Sequence, residues 1–71
     1  MKTLLLLILF PILSFSQNKN EAEIKVNEGI LLHDKGKYND ALDKYEEALN
    51  LDKNNLFAIS EKAMTLEALK K

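Results

Sequence analysis

One stretch constrains the fold of this chain more than any other. A glycine lies inside an apolar helical run, a Gly-Lys-Tyr turn follows, and a helix with two alanines on one face comes after it. The stretch runs from Gly29 through Gly36-Lys37-Tyr38 to Ala48. Ala41 and Ala48 are two helical turns apart, so they share a face with Tyr38, Leu42, Tyr45 and Leu49. Small side chains on that face let a neighbouring backbone come close. A glycine inside a helix costs about 1 kcal/mol relative to alanine. Close helix–helix approach accounts for that cost if Gly29 lies opposite the small side chains. On this reading Gly29→Ala is tolerated and Gly29→Leu overpacks the contact. Gly36 suits a left-handed C-cap, which only glycine adopts freely. Lys35 favours the negative end of the helix dipole.

The flanking residues extend the pattern to three helices. The first is predicted over about 21–35, with Glu21 and Glu23 in its first turn and a Glu21–Lys25 pair at i,i+4. The second is predicted over about 39–51, with an Asp40–Lys44 pair. Asn54 and Asn55 offer caps for a third helix running to about Leu69, which Lys70 and Lys71 close. At a lag of 34 residues, Gly29 falls on Ala63, Ile30 on Met64 and Leu32 on Leu66. The third helix thus begins a second copy of the first.

With these residues in place, the segment resembles a tetratricopeptide repeat, a helix–turn–helix unit of about 34 residues. The matching positions are Gly29, Gly36-Lys37-Tyr38, Ala41, Tyr45, Ala48 and the turn Leu51-Asp52-Lys53-Asn54-Asn55. The likeness covers residues 22–69. It implies an all-α, helix–turn–helix repeat fold: a three-helix fragment of an α-solenoid, with one full repeat and the first helix of a second. There are three departures. Lys53 stands where the family carries proline, and Lys25 and Glu28 stand where the first helix carries a tryptophan and a leucine.

The first sixteen residues read differently. Lys2 precedes an apolar run from Leu4 to Leu13, and Ser14-Phe15-Ser16 sets small residues at −3 and −1 of a cut before Gln17. This is the pattern of a secretory signal peptide. As a helix the run is roughly 15 Å long, about half of a ~30 Å hydrocarbon core, so no stable membrane span is expected once it is cleaved. The expected organisation is a signal peptide over 1–16, a disordered leader over 17–20 and a helical domain over 21–71. The expected location is the periplasm or cell envelope of a bacterium. With no cysteine in the chain, a lipoprotein anchor, disulfides and Cys-based metal or redox sites are excluded.

Charge argues against polyanion partners. The chain has 10 basic and 11 acidic side chains, and losing Lys2 with the leader leaves 9 against 11. The signs alternate along the helices and form no basic stripe, so nucleic-acid binding lacks its footprint. Enzyme chemistry has no constellation either. His33 is the one histidine, and a metal site needs three or four convergent ligands. Glu46-Glu47 and the pair Asp40 and Asp43 read as solvated faces. No catalytic residue, cofactor or metal site is expected.

Function is expected on helix surfaces. In the family, the first helices of successive repeats line a concave groove that holds peptides or partner helices. Val26, Ile30 and His33 form one such strip, and Phe57, Met64 and Ala68 form the matching strip on the third helix. The alternative for these strips is that they pack against each other. Val26 and Ile30 stand where some relatives carry a carboxylate clamp, so an apolar ligand fits better. Ile59, Ala63 and Leu66, with Leu56, form another apolar face, which a following helix would cover in the family. A mature domain of 55 residues (17–71) has a marginal core. It is therefore expected to self-associate through the third helix, dock it onto a partner, or be part of a longer array. The reading is a non-enzymatic protein–protein interaction module of the envelope. The alternative is the N-terminal part of a longer sensor or enzyme whose catalytic domain is not in this chain.

Overall fold

The computed structural model describes the backbone of residues 2–71 and the side chains of residues 18–71. Three helices follow one another: α1 (Lys2–Asp34), α2 (Tyr38–Leu51) and α3 (Leu56–Lys70). No strand occurs among the described residues. The side chains of the expected signal peptide and its cleavage motif lie outside the described residues. Residues 18–20, expected in a disordered leader, are helical within α1. No proline or glycine interrupts Asn18-Lys19-Asn20-Glu21, so neither asparagine acts as a cap there.

The two turns are built by hydrogen bonds the sequence foreshadows. Gly36 has φ +79°, the left-handed conformation that glycine adopts without strain. Its N–H donates to the His33 carbonyl at 2.9 Å, and the Lys37 N–H donates to the Leu32 carbonyl at 2.9 Å. This paired closure is a Schellman cap. At the second turn, the Asn55 side chain accepts from the Ala58 N–H at 2.9 Å, capping α3. The Asn55 amide also donates to the Asp52 carboxylate at 3.2 Å, and its backbone N–H to the Asp52 carbonyl at 3.1 Å. Asn55, not Asn54, is the cap, and the Asp52–Asn55 bonds brace a turn that lacks proline.

The core is a small cluster of Ala22, Val26, Ala41, Tyr45, Ala48 and Ala58, flanked by Ile30, Leu32, Leu42, Leu49 and Leu51. Tyr45 is its largest side chain and is fully buried. The close approach at Gly29 exists, but its partner is not a small side chain. A Cβ at Gly29 would lie 2.8 Å from Cδ1 of Tyr45 and closer still to Cε1. The ring lies against the bare backbone at Gly29. Gly29→Ala is therefore expected to disturb this contact rather than be tolerated as the sequence suggested, because its methyl group would meet the buried Tyr45 ring.

The third helix packs by its small side chains. It meets the α1–α2 hairpin through Ala58 and Thr65, both fully buried. Those small side chains let α3 sit close to the hairpin. The larger side chains stay outside: Phe57 is 42 % exposed, Met64 58 %, Ile59 45 %, Leu66 42 % and Leu56 76 %. Ala63 is also exposed.

Candidate functional site

Val26 is fully buried in the core, so it does not line an open groove. Its face of α1 is consumed by contact with α2 and α3. Ile30 and His33 are half-buried, with Ile30 packed against the core. Phe57 and Met64 are exposed but do not meet in one continuous groove. They fall in two separate clefts, Phe57 in one beside Glu23 of α1 and Met64 in one beside His33.

The first cleft has a volume of about 540 Å3 and lies between residues 18–23 of α1 and the α2–α3 turn. Glu23, Leu51, Leu56 and Phe57 help to line it, with Asn54 and Asn55 at the turn. The second, of about 410 Å3, lies where His33, Tyr38, Met64, Ala68, Glu67 and Lys71 converge. Its walls are thus aromatic and thioether surface, edged by one carboxylate and one ammonium. Thioethers and rings adapt to varied apolar shapes.

His33 is fixed within the second cleft. Its Nδ1 lies 2.7 Å from Oγ1 of Thr65, and its ring meets Tyr38 edge-on with centroids 5.0 Å apart. The hydrogen bond ties the end of α1 to the middle of α3. Sequence reasoning passed over Thr65. The available signal was a β-branched polar residue one heptad after Ala58, set between Met64 and Leu66. Behind it sits Tyr45, whose phenol pKa is pushed up, chiefly by burial and further by Glu61 and Asp34. The neighbouring Thr65 hydroxyl pulls the other way, although the phenol oxygen has no partner in hydrogen-bonding geometry among the described residues.

Four charges bridge α1 and α2. Lys25 reaches Glu47 at 3.1 Å and Glu28 at 4.0 Å. Lys44 reaches Glu28 at 3.4 Å and Glu47 at 3.8 Å. The hydrogen bond from Lys25 holds the Glu47 carboxyl below its usual pKa, and Glu47 holds the Lys25 ammonium above its own. Lys25 and Glu28 are the two positions where an aromatic and an aliphatic side chain were missing from the repeat pattern. Their place in the helix contact is taken by an ion network with α2. No group of three metal-binding side chains occurs among the described residues.

Residues 22–55 match the family model of the tetratricopeptide repeat. The chain contains a tetratricopeptide repeat. The matched span covers the described core of α1, all of α2 and the turn into α3. With α3, the chain holds one full repeat and the first helix of a second. No curated protein and no solved structure matches the chain. Tetratricopeptide repeats are protein-interaction modules and typically non-catalytic. Among the described residues, no helix is long and apolar enough to cross a membrane.

Proposed function

We propose that this chain is a non-enzymatic interaction module of the bacterial envelope that binds an apolar side chain of a peptide or partner helix in the Met64 cleft. The observation that carries the reading is the convergence of Met64, Tyr38 and His33 around an open cavity of about 410 Å3. Met64 is more than half exposed there, and His33 is already positioned by Thr65. An apolar anchor entering this cleft loses water contact with three side chains, while Glu67 and Lys71 offer polar contacts at the edge. Phe57 gives a second anchor point in the first cleft. Envelope location is part of the proposal, supported by Lys2, the apolar run and Ser14-Phe15-Ser16.

The test is selection from a displayed library of short random peptides against the purified protein. Enrichment of peptides with a large apolar anchor is expected. Met64→Glu should weaken the selected peptides by about tenfold or more, because it places a charge against an apolar group. Absence of enrichment, or binding indifferent to both Met64→Glu and Phe57→Glu, would overturn the assignment.

A further inference from the structure

The second solvent-facing side of α3 has a regular spacing. Leu56, Ile59, Ala63 and Leu66 follow one another at intervals of three, four and three. That is the a/d seam of a coiled coil, and all four are exposed. With Leu56 at a, Ile59 and Leu66 are at d and Ala63 is at a. Lys70 occupies the next a. Lys62 and Leu69 flank the seam on one side, and Ser60 and Glu67 on the other.

We propose that this seam binds a second copy of the same chain, as a parallel, in-register pair of α3 helices about a two-fold axis. The idea rests on the interaction-module reading; Ile59, Ala63 and Leu66 lie outside both clefts, while Leu56 and Glu67 border them. The charges select the arrangement. In a parallel pair, a residue at g lies beside the e residue five positions further along the other helix. Lys62 of one copy therefore meets Glu67 of the second, and the two-fold axis repeats the contact. An antiparallel pair sets like flank against like flank and leaves Lys62 and Glu67 without opposite charges.

The rest of the molecule permits this. Lys62 is ion-paired with Glu46 of α2, and an ammonium with three donors can serve a second carboxylate. The present neighbour of Glu67 is Lys70, at 3.6 Å and well exposed. Ala63 faces its own copy at the centre, where small side chains allow close approach. The hairpin lies on the opposite side of α3, against Ala58 and Thr65, and does not obstruct the seam. Lys70 at an a position ends the seam and constrains its register. Two heptads make a small interface, so the expected dissociation constant is on the order of tens of micromolar.

Sedimentation velocity from micromolar to millimolar concentration tests the proposal on protein expressed from the full 71-residue sequence and purified as the cell processes it. A monomer–dimer equilibrium is expected. Ile59→Glu with Leu66→Glu should weaken it more than tenfold while helical circular dichroism and peptide selection are unchanged. Glu67→Lys, which also changes the edge of the Met64 cleft, should weaken the dimer about threefold. The chain has no cysteine, so Leu56→Cys gives a single reporter that forms a disulfide-linked dimer on mild oxidation only if the helices run parallel. In an antiparallel pair the two positions lie roughly 15 Å or more apart. A monomer at every concentration, a dimer indifferent to the double glutamate variant, or a dimer that Leu56→Cys does not cross-link would each overturn the proposal.

Discussion

Gly29 and Tyr45 meet at close range, and each supplies a prediction. Gly29→Ala removes the helix penalty of glycine, about 1 kcal/mol, but drives a methyl group into the Tyr45 ring. The ring is fully buried, so the net effect expected is a loss of ~1–3 kcal/mol, with a larger loss for Gly29→Leu. Denaturant midpoints for both variants check it, and an alanine variant as stable as wild type would show that the ring yields freely. Tyr45→Phe deletes a buried hydroxyl that has no partner among the described residues. It is expected to be neutral or to stabilise by up to ~1 kcal/mol. A clear loss would reveal a bonded phenol. The identity of these residues was legible in the sequence, but the partner of Gly29 was not. Spacing along a helix fixes which residues share a face. It does not fix how a ring on the opposing helix is turned.

The elements were legible where local chemistry sets them. Gly36 stops α1 because it alone reaches φ +79° at no cost, and Asn55 starts α3 with a bond to the Ala58 N–H. Asn55→Ala is expected to cost ~1 kcal/mol, and more if the brace to Asp52 is lost with it. Thermal unfolding of Asn55→Ala beside Asn54→Ala separates the two asparagines, since only the first is a cap. The α1–α2 pairing predicts a pH response. Glu47 is held below 4.5 by Lys25, so its contribution is fully present above pH 4.5 and is lost as pH falls through the lower folded value. Lys25 is held above 10.5, so its contribution is present below pH 10.5 and lost as pH rises through the higher folded value. Both groups are solvated, so added salt should shrink the effect. Glu47→Gln should flatten the acid limb of the melting temperature, and an unchanged acid limb would remove the network from any role. Nothing in the sequence announced this network, because Lys25 and Glu28 find their partners on another helix, 16 to 22 positions away.

For the whole molecule, the repeat architecture was legible from Gly29, Gly36, Tyr38, Ala41, Tyr45 and Ala48 together. The seating of α3 was not. Its apolar residues lie on nearly every side, so periodicity gave no reason to choose Ala58 and Thr65 as the buried edge over the larger faces. Cleavage after Ser16 makes a prediction at this scale. Intact mass of the protein from the cell envelope should correspond to residues 17–71, and a mass retaining residues 1–16 would refute export with cleavage.

The contact between Gly29 and Tyr45 also bears on what can lie against α3. One repeat length later, the place of Gly29 is taken by Ala63, which already carries the methyl group that Gly29 lacks. A helix that covered Ala63 as α2 covers Gly29 would need something slimmer than a tyrosine at the corresponding point. Ala63 is therefore a gauge: it admits an opposing alanine or serine at close range and turns away a helix that leads with an aromatic ring.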